Sequence, residues 1–196
     1  MVDLTYFNKA NVLDTCSIWN IISSNCLFSV AQQAGCSFYM TSYVLYECLY
    51  KPRKEVDSID LELQNRLRKV LERNIITRYS LDLEDLQDVE ILERRKKLGK
   101  GELSSIVFAK KFRQSIITDD QKARKLARTI LDASCVQTTP QLFGWLFFIN
   151  FLADADKDTI IQEHNSFKQP LEKYFLITYE EALRLRLISG AGKVKQ

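Results

Sequence analysis

The chain predicts an α/β domain built on a mainly parallel sheet. Short apolar segments alternate with longer amphipathic ones through residue 140, and turn or capping residues separate them at the spacing of strand–helix–strand units. Size and composition agree: 196 residues, 46% hydrophobic and 27% charged, with 3 prolines and 6 glycines, suit one ordinary globule rather than a disordered or fibrous chain.

Each element has a local reason. Residues 11–14 (NVLD) read as the end of a first strand, and 17–29 as one helix. Residues 36–40 (CSFYM) form a second strand, after which Thr41 or Ser42 can cap a helix that runs to Tyr50 and is ended by Pro52. Residues 57–73 place Ile59, Leu61, Leu63, Leu67, Val70 and Leu71 largely on one helical stripe. Residues 74–79 (NIITRY) favour a strand, and 83–97 a helix punctuated by Gly99 and Gly101. A compact helix at 102–112, a strand at 115–118 (SIIT), a helix at 121–131 and a last strand at 133–138 (ASCVQT) complete the pattern. Beyond Pro140 it changes to an aromatic segment (142–152), an acidic turn (Asp154, Asp156, Asp158), a helix-like stretch at 179–187, and a tail from 190 that should fray. The expected organisation is a domain over 1–140 and a helical, aromatic-rich extension over 141–196, packed on that domain or continuing it.

The net charge of +3 is too small for a nucleic-acid coat and compatible with a basic face set against an acidic site. Residues 1–10 do not read as a signal peptide, and the longest near-apolar run, 142–152, is too short to span a bilayer, so a cytoplasmic protein without a membrane partner is expected. The five cysteines form no C-x-x-C pair and read as reduced, semi-buried thiols. The single histidine, His164, lies in a polar stretch (QEHNSFKQ) and is expected at the surface. One histidine also argues against His-rich metal sites and Ser-His-Asp chemistry.

The acids are more informative. Asp14 closes the first strand, and Asp119 and Asp120 close the strand at 115–118. In an open parallel sheet the carboxyl ends of the strands are where ligands bind, although an Asp there also serves as a helix cap. Glu47 is the lone acid in YVLYECL (43–49), where an isolated charge is costly unless paired, protonated or metal-bound. Glu102 opens a helix after LGKG, which the helix dipole favours on its own. If these acids meet at the top of the sheet, an all-oxygen cluster suits Mg²⁺ or Mn²⁺ and phosphoryl transfer to water.

The order D-T-C-S (14–17), an acid on the next helix (Glu47), G-E-L-S (101–104) and I-I-T-D-D-Q-K-A-R-K-L-A (116–127) resembles the PIN domain, most nearly the VapC-like ribonucleases of prokaryotic toxin–antitoxin systems. The likeness covers about residues 10–140. It implies a three-layer α/β/α fold with a five-stranded, mainly parallel sheet and a Mg²⁺- or Mn²⁺-dependent endonuclease acting on single-stranded RNA, here the toxin of a toxin–antitoxin pair. Catalytic residues would be Asp14, Glu47, Glu102, Asp119 and Asp120. Asp14, Glu47, Glu102 and Asp120 would be the metal ligands, with Asp120 favoured over Asp119 by its place two residues after Thr118.

Substrate contacts are expected from Thr15, Ser17 and Thr118, and from the basic residues that flank the acids. Arg94, Arg95, Lys96, Lys97 and Lys100 precede Glu102; Lys122, Arg124, Lys125 and Arg128 follow Asp120. Lys100, Lys122 and Arg124 are the principal candidates, set against the plainer reading of solvated helix faces with pairs such as Glu93–Lys97. Expected partners are RNA, an antitoxin or other protein over the aromatic C-terminal surface, and a second copy of the chain. Two rivals remain: a phosphatase with an aspartyl nucleophile at 14, disfavoured by Cys16 where that mechanism needs a second Asp, and a PIN-like binding module without catalysis.

Overall fold

The computed structural model describes residues 3–53, 55–95 and 98–193. Among them the elements run β1 (Ala10–Leu13), α1 (Thr15–Ile22), α2 (Asn25–Gln33), β2 (Ser37–Thr41), α3 (Ser42–Leu49), α4 (Ser58–Glu72), β3 (Ile76–Tyr79), α5 (Leu83–Arg95), α6 (Lys100–Phe112), β4 (Ser115–Ile117), α7 (Gln121–Ala127), β5 (Val136–Gln137), α8 (Thr139–Phe148), α9 (Asp154–Ser166) and α10 (Glu172–Lys193). All four strand pairings are parallel, in the order β3-β2-β1-β4-β5.

Alternate residues of each central strand face opposite sides. Leu13 and Ile117 join one core with Phe38, Met40, Ile76 and residues of α1 to α4 and α8 to α10. Val12, Ile116 and Val136 join another with α5, α6 and α7. Helices therefore cover both faces, and the sheet is buried between them. The chain runs outward from β1 through β2 to β3, then returns to place β4 on the other side of β1. The carboxyl ends of β1 and β4 form the point where strand order reverses, the place at which an open parallel sheet leaves a crevice.

Several expectations change in detail. The helix expected over 17–29 is two, because Ser24 turns extended (φ −108°) and caps the N–H of Leu27 at 3.0 Å. The helix over 121–131 stops at Ala127, and the strand over 133–138 shortens to Val136–Gln137 behind a 3₁₀ turn at Ala133–Cys135. The acidic residues at 154–158 are no turn: they open α9, where Asp154 and Asp156 complement the helix dipole and Asp156 accepts the N–H of Ala153 at 2.8 Å. The stretch at 179–187 lies inside α10, which continues through Lys193; positions 194–196 of the expected fraying tail lie outside the described residues.

The aromatic segment is core rather than surface. Phe143, Trp145, Leu146 and Phe147 of α8 are buried, and Phe143 packs on Phe175 of α10 with ring centroids 4.6 Å apart. Gly144 permits the close crossing, since a Cβ there would sit 2.9 Å from both Leu4 Cδ1 and Thr178 Cβ. The buried rings of α8 are therefore not available as a partner surface, whereas Phe151 is exposed. His164 is also corrected. It is fully buried on α9, with Nδ1 2.9 Å from Ser23 Oγ and its ring edge-on to Phe175. Its polar neighbours in sequence fall on the outer face of a helix whose inner face the sequence reading missed.

Among the described residues no helix is long and apolar enough to cross a membrane.

Candidate active site

Asp14 follows β1 and caps α1. Its Oδ1 accepts the Ser17 N–H at 2.8 Å, and Ser17 Oγ lies 2.7 Å from both that oxygen and the Ile117 carbonyl, with one proton to share. One serine thereby ties the end of β1 to the end of β4. Ser17, expected to contact substrate, is fully buried, and its hydroxyl is engaged in positioning Asp14. Asp14 itself is 0% exposed, and its Oδ2 has no hydrogen-bond partner among the described residues. Thr118, at the end of β4, is equally buried, and its hydroxyl is likewise without a partner. Burial pushes the Asp14 carboxyl up to about 7, against the pull of the Thr118 and Ser17 side chains, while Asp119 adds repulsion. Thr118 is close enough to favour ionisation but forms no hydrogen bond of normal geometry with the orphaned oxygen.

Glu47 reaches the same edge from α3. Thr15 Oγ1 donates to its Oε2 at 2.6 Å and the Gly101 N–H to its Oε1 at 3.1 Å. The sequence left Glu47 paired, protonated or metal-bound; it is half-buried and held by neutral donors. Gly101 is required here: a Cβ would fall 2.3 Å from Glu47 Oε2 and 2.9 Å from Thr15 Oγ1. Glu102 sits in the first turn of α6, where Oε2 accepts the Gly99 N–H at 2.8 Å. Both carboxylates flank one helix start, since a Cβ on Gly99 would lie 3.5 Å from Glu47 Oε1 and 3.6 Å from Glu102 Oε2. Desolvation raises the Glu102 carboxyl above its ordinary range, the Gly99 N–H opposes this, and Asp120 and Glu47 raise it further, with Lys122 acting against them.

The two aspartates after β4 have different partners. Both oxygens of Asp119 are engaged: Thr139 N–H donates to Oδ1 at 2.9 Å, while Thr139 Oγ1 and Asn20 Nδ2 donate to Oδ2 at 2.6 and 2.7 Å. Asp120 caps α7 through Oδ1, accepting the N–H groups of Lys122 and Ala123 at 2.7 and 2.8 Å, and its Oδ2 keeps no partner among the described residues. Cys16, expected to be semi-buried, is exposed in the middle of this group. Desolvation of its sulfur, followed by the charges of Asp14, Glu102, Asp119 and Asp120, pushes the thiol up to about 12. One thiol thus feels four of the five acids, and Glu102 feels the fifth, Glu47.

The arrangement brings the acids to one edge without closing them on a point. Among the described residues, no three His, Cys, Asp or Glu side chains are gathered at chelating distance. The cause is visible: Asp14, Glu102 and Asp120 each give one oxygen to a helix start, and Glu47 gives both to protein donors. Of the basic residues, Lys100 pairs with Glu93 at 3.8 Å and lies over the Tyr43 ring, Arg94 pairs with Glu90, and Arg124 donates to the Asp119 carbonyl at 3.2 Å. Lys96 and Lys97, and with them the Glu93–Lys97 pair, lie outside the described residues.

Sequence reasoning missed Asn20, Thr139 and Gly101. Asn20 carried the signal that marked Glu47, a single polar residue among apolar helix neighbours (IWNII, 18–22). Gly101 stood in G-E-L-S only as a helix-start residue, and Thr139 gave no signal; their partners lie 54 and 20 residues away. No protein-family model matches the chain, and a search of curated proteins finds no match.

Proposed function

We propose that the protein is a divalent-cation-dependent endoribonuclease of the PIN type that hydrolyses single-stranded RNA. The single observation that carries this is Asp14: a carboxyl buried at the strand-order switch point, with one oxygen lacking a partner among the described residues and further acids at the same edge. A buried polar atom left without a hydrogen bond is costly and rare, and here Asp119 adds like charge to the same buried group. An Mg²⁺ or Mn²⁺ ion fits such a donor set, which is all oxygen and lacks histidine. Asp14, Glu47, Glu102 and Asp120 would hold it; Asp120 is taken over Asp119 because it gives only Oδ1 to protein donors, and Glu47 would exchange one of its two neutral donors for the ion.

When bound, such an ion supplies an activated water and neutralises charge on the phosphodiester. The protein's own groups do the rest. Ser17 fixes the Asp14 carboxyl, Thr15 and Gly101 hold Glu47 across from it, and the unpartnered Thr118 hydroxyl stands beside Asp14 as a donor. Lys122, near enough to Glu102 to ease its ionisation, gives the phosphate backbone a cation at the same edge. A cation bound by these carboxylates would offset the burial and repulsion that raise Asp14, so added metal should raise the melting temperature.

The test is incubation of mixed end-labelled RNAs with and without Mn²⁺, with the ends mapped. Water as nucleophile leaves 5′-phosphate and 3′-hydroxyl ends. His164, buried behind α9, is in no position to run the 2′-hydroxyl route, so 2′,3′-cyclic phosphate products would overturn the mechanism. A melting curve unmoved by millimolar Mn²⁺, with no cleavage, would instead favour a binding module without catalysis.

A further inference from the structure

A cleft of about 530 Å³ opens beside Asp119, between α7, the start of α8 and the first turns of α10. Its size falls within the range of small-ligand sites, roughly 300–1,000 Å³. One wall carries Arg124 of α7 and Arg128 at its C-terminal cap, and the α10 wall carries Tyr174 and Ile177, both more than half exposed. Gln121 and Gln141 stand between these walls. Arg124 is anchored on the Asp119 carbonyl, whereas the Arg128 guanidinium has no carboxylate partner among the described residues. The only acid in the lining is Asp119, and both its oxygens are already engaged by Asn20 and Thr139.

These surfaces match one chemical class. Two guanidinium groups on one wall suit a phosphodiester, and an exposed aromatic ring beside an aliphatic side chain on the other suits the face of a base. Side-chain amides between them offer donors and acceptors to a base edge. A free phosphate would make no use of the apolar wall, and an acyl chain none of the amides or guanidiniums. We propose that this cleft seats one nucleotide of a single-stranded RNA next to the phosphate held at the carboxylates, with its phosphate on Arg124 and Arg128 and its base on Tyr174 and Ile177. The proposal rests on the endoribonuclease reading above and adds to it the surface that fixes the strand's path.

The experiment measures binding, separately from cleavage. Fluorescent decamers of A, U or C ribonucleotides are titrated with the full chain in EDTA, by anisotropy, over a series of salt concentrations. Arg128→Ala and Tyr174→Ala should each weaken binding roughly tenfold. Arg128→Ala should also flatten the salt dependence by about 0.7 in log–log slope, as loss of one phosphate contact to a single strand does. Tyr174→Phe should bind as the parent does, and so should Arg78→Ala, which removes a charge from the opposite edge strand. Melting temperatures verify that the exposed substitutions leave the fold intact. Parent-like affinity in both Ala variants, an equal loss in Arg78→Ala, or no binding of any decamer would overturn the proposal. A parallel Mn²⁺ assay separates the two claims: cleavage with no effect of the cleft variants refutes the cleft alone, whereas cleft-dependent binding with no cleavage refutes the hydrolytic reading alone.

Discussion

Two buried aspartates stand in opposite circumstances. Asp85, 2% exposed, receives the Tyr79 hydroxyl at 2.9 Å, the Asp82 N–H at 3.0 Å and the Lys111 ammonium at 3.0 Å. Asp14, fully buried, receives donors on one oxygen only, has no ammonium or guanidinium partner among the described residues, and is repelled by Asp119. A charge that is buried, paired and fully hydrogen-bonded is a structural device. One buried beside like charges, with a lone pair unused, is unfavourable for folding and has meaning only if something else completes it. The difference between them, rather than burial as such, separates a strut from a candidate site.

The largest effect that would break this comparison is expected from Asp14→Asn. The amide keeps the cap on α1, yet Mn²⁺-dependent cleavage should fall roughly a thousandfold, the scale of losing a preorganised charge contact. In EDTA at pH 8 its melting temperature should equal or exceed the parent's. The sign follows from the raised pKa: unfolded Asp14 ionises near 3.8 and the folded group near 7, so above pH 7 the parent carries the whole penalty and the variant carries none. Full activity of the variant would remove Asp14 from the proposed chemistry.

Next is His164, a buried group with the opposite sign. Burial lowers it from 6.5 to about 4, so the stability tied to its neutral form is present above pH 6.5 and lost as pH falls toward 4. Relative to His164→Leu, the parent should lose roughly 3 kcal/mol of unfolding free energy between pH 7 and pH 4, read from denaturant titrations. The raised carboxyls of Asp14, Glu102 and Asp119 act in the reverse direction, so the difference between the two proteins is the quantity to measure. An unchanged difference across that range would mean that the ring is not held neutral.

Gly101→Ala sharpens the comparison at the acid edge. In a helix, alanine alone would stabilise by about 1 kcal/mol. Here its methyl group displaces Glu47, and cleavage should drop roughly tenfold or more with the fold retained. The smallest effect is expected at the other aspartate. Lys111→Met should lower the melting temperature by a few degrees, because the ammonium is partly solvent-exposed and Tyr79 and Asp82 still serve Asp85. Metal-dependent cleavage should stay unchanged, and a loss of activity would tie this strut to the site.

Much of this was legible in the chain because it is local. Strand ends, helix starts and capping by Asp14, Thr41 and Asp120 rest on contacts two or three residues apart, which spacing alone exposes. Glu47 was visible because an acid in an apolar helix has few places to go. Tertiary packing decided the rest. It buried His164 against Ser23, 141 residues earlier, and packed the aromatic rings of α8 into the core beneath α10. It also divided the Asp119–Asp120 pair, engaging both oxygens of one with Asn20 and Thr139 and leaving the other an open oxygen. Adjacent identical residues present the same local chemistry. Only distant partners, chosen by how the helices pack on the sheet, give them different environments.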